Sequence, residues 1–186
     1  MNKRILLATL LLLPITAFAH PGHGAHGLMD GFIHPFSGWD HCIEMMAVGL
    51  WAAMAKGKNQ VAIMGGFLAG MLLGGVLGMS YAVPGYIETA VAATTLAAAL
   101  LVVLALRLPV MVQVGLTVLF AVTHGLAHGA ELPHAASALS YGLGFMLASS
   151  ILLSTGWAIG RKLGSEPRQR KLGLLLAVVA GGFIAS

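Results

Sequence analysis

The chain has 186 residues, of which 58% are hydrophobic and only 9% are charged, and its mean hydropathy is +0.90. Soluble domains carry about 25% charged residues, so this composition excludes a soluble globular protein and indicates a membrane protein. The formal net charge is +4. No stripe of Arg and Lys or aromatic platform accompanies it, and we expect no nucleic-acid partner.

The first 19 residues have the parts of a secretory signal peptide. A basic start is followed by the apolar run Ile5 to Leu13 and by the small-x-small motif Ala17-Phe18-Ala19. The apolar run is too short to cross a bilayer comfortably, which disfavours the alternative of an uncleaved first span. We therefore predict cleavage after Ala19.

Residues 20–37 form a His-rich segment that we place outside the membrane. After cleavage the chain would begin at His20, with His23 and His26 following at intervals of three in a Gly-rich stretch. A free α-amine beside an imidazole can chelate a divalent metal, so His20 and His23 are secondary candidate ligands. A solvated tail without a ligand role is the alternative.

From residue 38 onward, the chain divides into six apolar segments. We predict that they are membrane-spanning helices, which makes the protein an all-α, polytopic helical bundle of about six spans over residues 38–186. The last segment would reach only about 22 Å at 1.5 Å per residue. It must thin the bilayer or borrow residues from the basic stretch before it. The segments are Gly38–Ala55, Gln60–Met79, Tyr86–Leu106, Pro109–Gly129, Pro133–Gly160 and Leu172–Ser186.

Basic residues predict the orientation of this bundle. A cleaved signal peptide leaves the new terminus outside, so the loops after the first, third and fifth spans should be cytoplasmic. Of ten Lys and Arg residues, two lie in the signal peptide, and all eight others fall in those three loops. They are Lys56, Lys58, Arg107, Arg161, Lys162, Arg168, Arg170 and Lys171.

Small and hydroxylated residues predict close helix packing. Four glycines of the second span recur at a spacing of four, which gives a flat face that a neighbouring backbone can approach. Thr94 and Thr95 in the third span are expected to donate hydrogen bonds between helices. The glycines are Gly66, Gly70, Gly74 and Gly78.

The most unusual stretch, His34 to Glu44, lies at the mouth of the first span. Ionisable groups there cost free energy and usually serve a function such as ion binding. Asp40, His41 and Glu44 share about one side of a helix. Alternatives remain for three of these groups: Asp40 as a helix cap, His34 as a loop residue, and Glu44 as a protonated group that supports the ligands or handles protons. Glu44 is therefore a secondary candidate.

A second motif ends the fourth span. His124 and His128 are four residues apart and Glu131 follows three later, so the three side chains share one helix face. Two imidazoles on successive turns commonly bind a transition metal. This span ends on the side where the first begins, which predicts that both motifs face one leaflet. Glu88 lies on the same side as a secondary candidate, and His134 is a weak one.

The two motifs carry a family resemblance. His34-Pro35-x-x-Gly38-x-Asp40-His41 and His124-Gly125-x-Ala127-His128-Gly129-x-Glu131 resemble those of the HupE/UreJ family of nickel and cobalt permeases. One departure is Thr123, where the family usually has Phe. The resemblance implies a multi-pass protein of the bacterial cytoplasmic (inner) membrane. The signal peptide and the loop charges predict that its N-terminus and metal site are periplasmic. It also implies uptake of nickel or cobalt for enzymes such as hydrogenase or urease, with delivery to their maturation proteins.

We therefore predict a transient metal site and a permease rather than an enzyme, with no permanently bound cofactor. Imidazole and carboxylate suit Ni²⁺, Co²⁺ and Zn²⁺ about equally, so the ligand types do not select among them. The sequence has no P-loop, so ATP hydrolysis would need another subunit. The alternatives are a membrane zinc metalloenzyme and a metal sensor or chaperone that never moves the ion. The predicted ligands are His34, Asp40, His41, His124, His128 and Glu131.

Overall fold

The computed structural model describes residues 27–132 and 137–185, and this part of the chain contains α-helices and no strand. The predicted all-α fold is confirmed. The signal peptide, His20, His23 and His134 lie outside the described residues. The helices are α1 (Gly27–Ser37), α2 (Trp39–Met54), α3 (Lys58–Ser80), α4 (Ile87–Leu104), α5 (Val110–Ala130), α6 (Ala138–Leu163) and α7 (Glu166–Ala185).

The helix lengths fit a multi-pass membrane protein. Four helices, α3 to α6, are long and apolar enough to cross a membrane. Helix α2 has 16 residues and reaches about 24 Å, somewhat less than a hydrocarbon core of about 30 Å. Helix α7 begins at Glu166 and so includes the basic stretch before Leu172, which was one of the two solutions expected for the short last segment.

Helix α1 lies within the His-rich segment, ahead of the predicted spans. Gly31 and Pro35 are both buried in it, although each is a helix breaker in isolation. Gly31 lies against the backbone of Tyr141 in α6, and Gly144 of α6 lies against the backbone of Leu28. These two glycines let the helices touch along their main chains, so tertiary contact stabilises α1. Pro35, in the last turn, has no N–H to donate to the carbonyl of Gly31, so α1 lacks one helical hydrogen bond there.

The glycines of α3 pack against α5 as predicted. A Cβ added at Gly70, Gly74 or Gly78 would collide with the backbone of α5, at Val118, Val122 and Leu126 respectively. The contact is reciprocal, because Gly125 and Gly129 of α5 lie against the backbone of α3. Small residues on both partners thus bring the two main chains together.

The three basic loops meet at one end of the bundle. Arg107 follows α4, and its guanidinium lies 3.2 Å from Oε2 of Glu166 at the start of α7. Arg170 donates a 2.7 Å hydrogen bond to the carbonyl of Val103. A cavity of about 550 Å³ opens here and is lined by Lys56, Arg107 and Glu166 among others. The two histidine motifs lie at the other end of the helices that these loops connect.

Candidate metal centre

Three helices bring four of the predicted histidines together. His34 comes from α1, His41 from α2, and His124 and His128 from successive turns of α5. The ring centroids of His41 and His128 are 4.1 Å apart, those of His34 and His128 are 4.8 Å apart, and those of His41 and His124 are 5.4 Å apart. His124 is fully buried, and His41 and His128 are nearly so. The result is one imidazole cluster that is buried except at His34, which is half-buried.

His34, His41 and His128 form the first group that could hold an ion, which we call the outer triad. Each offers a ring nitrogen, and these nitrogens lie within 4.8 Å of one another. Nε2 of His34 is 3.1 Å from Nδ1 of His128. An ion bonded to nitrogen at about 2.0–2.1 Å holds neighbouring ligand atoms about 3 to 3.5 Å apart. Small side-chain adjustments would therefore be enough to close the outer triad around an ion.

Asp40, His41 and His124 form a second group with the same ligand spacing. Oδ2 of Asp40 lies 2.8 Å from Nδ1 of His41. Despite this short distance, Nδ1 has no hydrogen-bond partner of good geometry within the described chain. His41 therefore belongs to both groups and lies between them.

Glu131 caps α5 at the rim of the cluster, with Oε2 3.3 Å from Nδ1 of His128. It lies outside the membrane-spanning helices, and the hydrogen bond with His128 holds its carboxyl pKa below the usual range. His34 also precedes the spans, and burial, followed by the neighbouring His41 charge, lowers its pKa from 6.5. Both groups are thus in their metal-binding forms at neutral pH, one as a carboxylate and one as a neutral imidazole.

Glu44, which the sequence analysis ranked as a secondary candidate, contacts His124 directly. It is fully buried, and its Oε2 is 2.9 Å from Nδ1 of His124. The same oxygen lies 3.2 Å from the hydroxyl of Thr94 and 3.0 Å from that of Thr95, both on α4. Each hydroxyl has one hydrogen, which it donates either to Glu44 or to the carbonyl of Val91 at 2.9 Å. The two threonines can act as donors between helices, as predicted, but spacing along the chain could not reveal that Glu44 is their acceptor.

Glu88 does not join either group. It stands exposed in the first turn of α4, and it makes no ion pair with the residues that the structure describes. Its position on the same side of the bundle agrees with the predicted topology, because α4 begins where α5 ends. Sharing a leaflet does not bring its side chain to the histidines.

The glycines of both motifs position the ligands, a role that the sequence did not reveal. A Cβ at Gly38 would lie 2.6 Å from Oδ1 of Asp40 and 2.9 Å from Nδ1 of His41. Gly125 and Gly129 hold α5 against α3 on one side while His124 and His128 face the cluster on the other. The signal that could have indicated this is the matching glycine spacing of four in the two helices.

Comparison with known proteins covers nearly the whole chain. The family model described as HupE / UreJ protein matches residues 7–184. A curated relative, Protein HupE from Rhizobium leguminosarum bv. viciae, is 38% identical over 175 residues, which are 94% of this chain and 89% of that protein. No solved structure matches the chain.

Proposed function

The chain belongs to the HupE/UreJ family, and from this membership and the histidine cluster we propose that it is a permease for divalent nickel or cobalt. The observation that carries the proposal is the meeting of four imidazoles from three helices inside a bundle of apolar helices. In this proposal the metal is cargo that passes through the bacterial inner membrane toward enzymes such as hydrogenase or urease.

The ligand chemistry supports a first-row divalent ion. Imidazole suits nickel, cobalt and zinc, whereas thiolates are typical of structural zinc sites. The only cysteine, Cys42, donates its thiol to the carbonyl of Pro35. Because His41 belongs to both ligand groups, an ion could change partners stepwise without losing all of its ligands at once.

Acidic residues at the rim support capture from one side. Asp40 keeps 28% of its side chain exposed and Glu131 keeps 55%, and Glu88 is exposed nearby on the same side. Carboxylates gathered at an opening raise the local concentration of cations. The basic loops lie at the opposite end, and by the positive-inside rule we assign the acidic end to the periplasm.

A buried polar stripe on α5 favours movement of the ion over static binding. Below His128 and His124, the same helix buries Thr117 and Gln113 at spacings of seven and four residues. Gln113 lines the cavity of about 550 Å³ at the basic end of the bundle. Phe120 occupies the turn between the histidines and Thr117. The stripe, interrupted by Phe120, runs along one face of α5 from the histidine cluster toward the basic end of the bundle.

Uptake of Ni²⁺ or Co²⁺ into proteoliposomes tests the proposal. We expect saturable uptake by the wild-type protein and background uptake by His41→Ala and His128→Ala, since each substitution removes a nitrogen from the cluster. Asp30→Asn is the matched control, because Asp30 is an exposed acid on α1. Wild-type uptake no greater than that of empty liposomes would exclude transport, and metal binding in detergent without uptake would indicate a sensor or chaperone.

A further inference from the structure

Glu44 and His124 form a pair at the inner side of the histidine cluster. Both side chains have 0% exposure, and Nδ1 of His124 lies 2.9 Å from Oε2 of Glu44. A carboxylate in the interior of a membrane protein is costly and usually serves a function. Structural support for His124 alone does not explain an acidic residue here, because a neutral amide could accept the same hydrogen bond.

The two oxygens of Glu44 are used unequally. Thr94, Thr95 and His124 all approach Oε2, while Oε1 has no hydrogen-bond partner in the part of the chain that the structure describes. Nε2 of His124 also has none within these residues. Buried polar atoms are nearly always paired, and each exception calls for an explanation such as an ion. One carboxylate oxygen and both imidazole nitrogens are thus without a hydrogen bond in the same buried pair, although Nδ1 lies 2.9 Å from Oε2.

This pair adjoins the outer triad. The ring of His124 is 5.4 Å from that of His41 and 6.0 Å from that of His128, measured between centroids. Asp40, His41 and His124 already offer ligand atoms within 4.8 Å of one another. An ion held by His41 is therefore a single short step from His124.

We propose that Glu44 and His124 form an inner ion station that receives Ni²⁺ or Co²⁺ from the outer triad. This inference rests on the proposed function, because it takes the ion to be the transported substrate. Nδ1 of His124 and the Glu44 carboxylate, 2.9 Å apart at Oε2, are the ligand atoms, and Thr94 and Thr95 are positioning residues beside that oxygen. Several adjacent sites of moderate strength let an ion enter and still leave. The inner station directs the ion toward Thr117 on the same face of α5.

Binding of Co²⁺ to the purified full-length protein tests the station without any need for transport. In the double variant His34→Ala/His128→Ala, which removes two ligands of the outer triad, we expect Co²⁺ to bind about tenfold to 100-fold more weakly but still to show its visible absorption bands. Adding Glu44→Gln to this variant should abolish those bands. Absence of residual binding in the double variant, or residual bands unchanged by Glu44→Gln, would overturn the inner station.

A second measurement separates a ligand role from a merely structural one. Glu44→Gln alone is nearly isosteric and keeps an acceptor for Thr94 and Thr95, so we expect thermal unfolding like that of the Asp30→Asn control. Its affinity for Co²⁺ at the outer triad should stay within about threefold, while uptake falls at least about tenfold. Uptake equal to wild type would refute the station. A wild type that binds Co²⁺ as expected but transports nothing would refute the permease and leave the station standing.

Discussion

Replacement of Gly125 by Ala should disturb metal binding without touching a ligand. A Cβ at this position would lie 2.7 Å from the backbone N of Gly75, 2.9 Å from Cα of Gly74, and closer still to the carbonyl of Met71. All of these atoms are main chain of α3, so no side chain can rotate away. To restore an ordinary contact distance of 3.4 Å between this Cβ and the Gly75 nitrogen, the helices must move apart by at least 3.4 − 2.7 = 0.7 Å.

Such a movement is large on the scale of metal coordination. Ligand distances are typically held within about 0.2 Å, and Gly125 is the next residue after His124. We expect the affinity for Ni²⁺ to fall about tenfold to 100-fold, as when a group that orients a ligand is lost. Overpacking of this kind also costs about 1 to 3 kcal/mol of folding free energy. Isothermal titration with Ni²⁺ and thermal unfolding in detergent measure the two effects.

Gly115→Ala is the matched control on the same helix. A Cβ at Gly115 meets nothing within 4 Å, so this change should leave Ni²⁺ affinity unaltered and stabilise α5 by about 0.5 to 1 kcal/mol through helix propensity. If Gly125→Ala bound Ni²⁺ within twofold of wild type and unfolded at the same temperature, the view that α3 fixes the position of α5 would be wrong.

Three further predictions concern the entrance, the pH dependence and a loop. Gly38→Ala would place a methyl group 2.6 Å from Oδ1 of Asp40, so the Ni²⁺ affinity measured by titration should drop about tenfold. Gly85→Ala is the control, because a Cβ there meets nothing within 4 Å and should leave the affinity unchanged. The contribution of His34 to Ni²⁺ binding, measured as the difference between wild type and His34→Ala, should be lost only below pH 6.5, because the pKa of His34 is lowered from that value. A loss of this difference with a midpoint above pH 6.5 would contradict the reasoning. Ala105 has a left-handed backbone with φ of 50°, so Ala105→Gly should raise the free energy of unfolding by about 1 kcal/mol in denaturant titrations.

The spans and the shared end of the two motifs were predictable because their signals are local. Apolar length, basic loops and helix periodicity can each be read within a short window of sequence. The sequence therefore predicted that His34, His41, His124 and His128 lie at one end of the bundle. The structure brings them into contact.

Helix α1 and the Glu44 contacts were not predictable in the same way. Gly31 and Pro35 disfavour a helix locally, and only the backbone of α6 makes Gly31 an advantage. Glu44 meets Thr95 because α2 packs beside α4, and chain order alone does not say which spans are neighbours. Glu88 is the opposite case: the sequence correctly predicted its side of the bundle, but its side chain does not join the histidines.

The distribution of glycine contacts divides the cluster between two sets of helices. Helix α6 holds α1 through Gly31 and Gly144, and it holds α2 through Gly49 and Gly156, each against backbone atoms of the partner. Helices α3 and α5 form a separate pair with glycine contacts of their own.

The ligands follow this division. His34 and His41 belong to the first set, and His124 and His128 belong to the second. A displacement between the sets would keep these glycine contacts but would split the four imidazoles into two pairs. An ion bound across the boundary would then lose about half of its imidazole ligands in one movement. A site meant only to retain a metal gains nothing from this division, whereas a permease must release the ion that it binds.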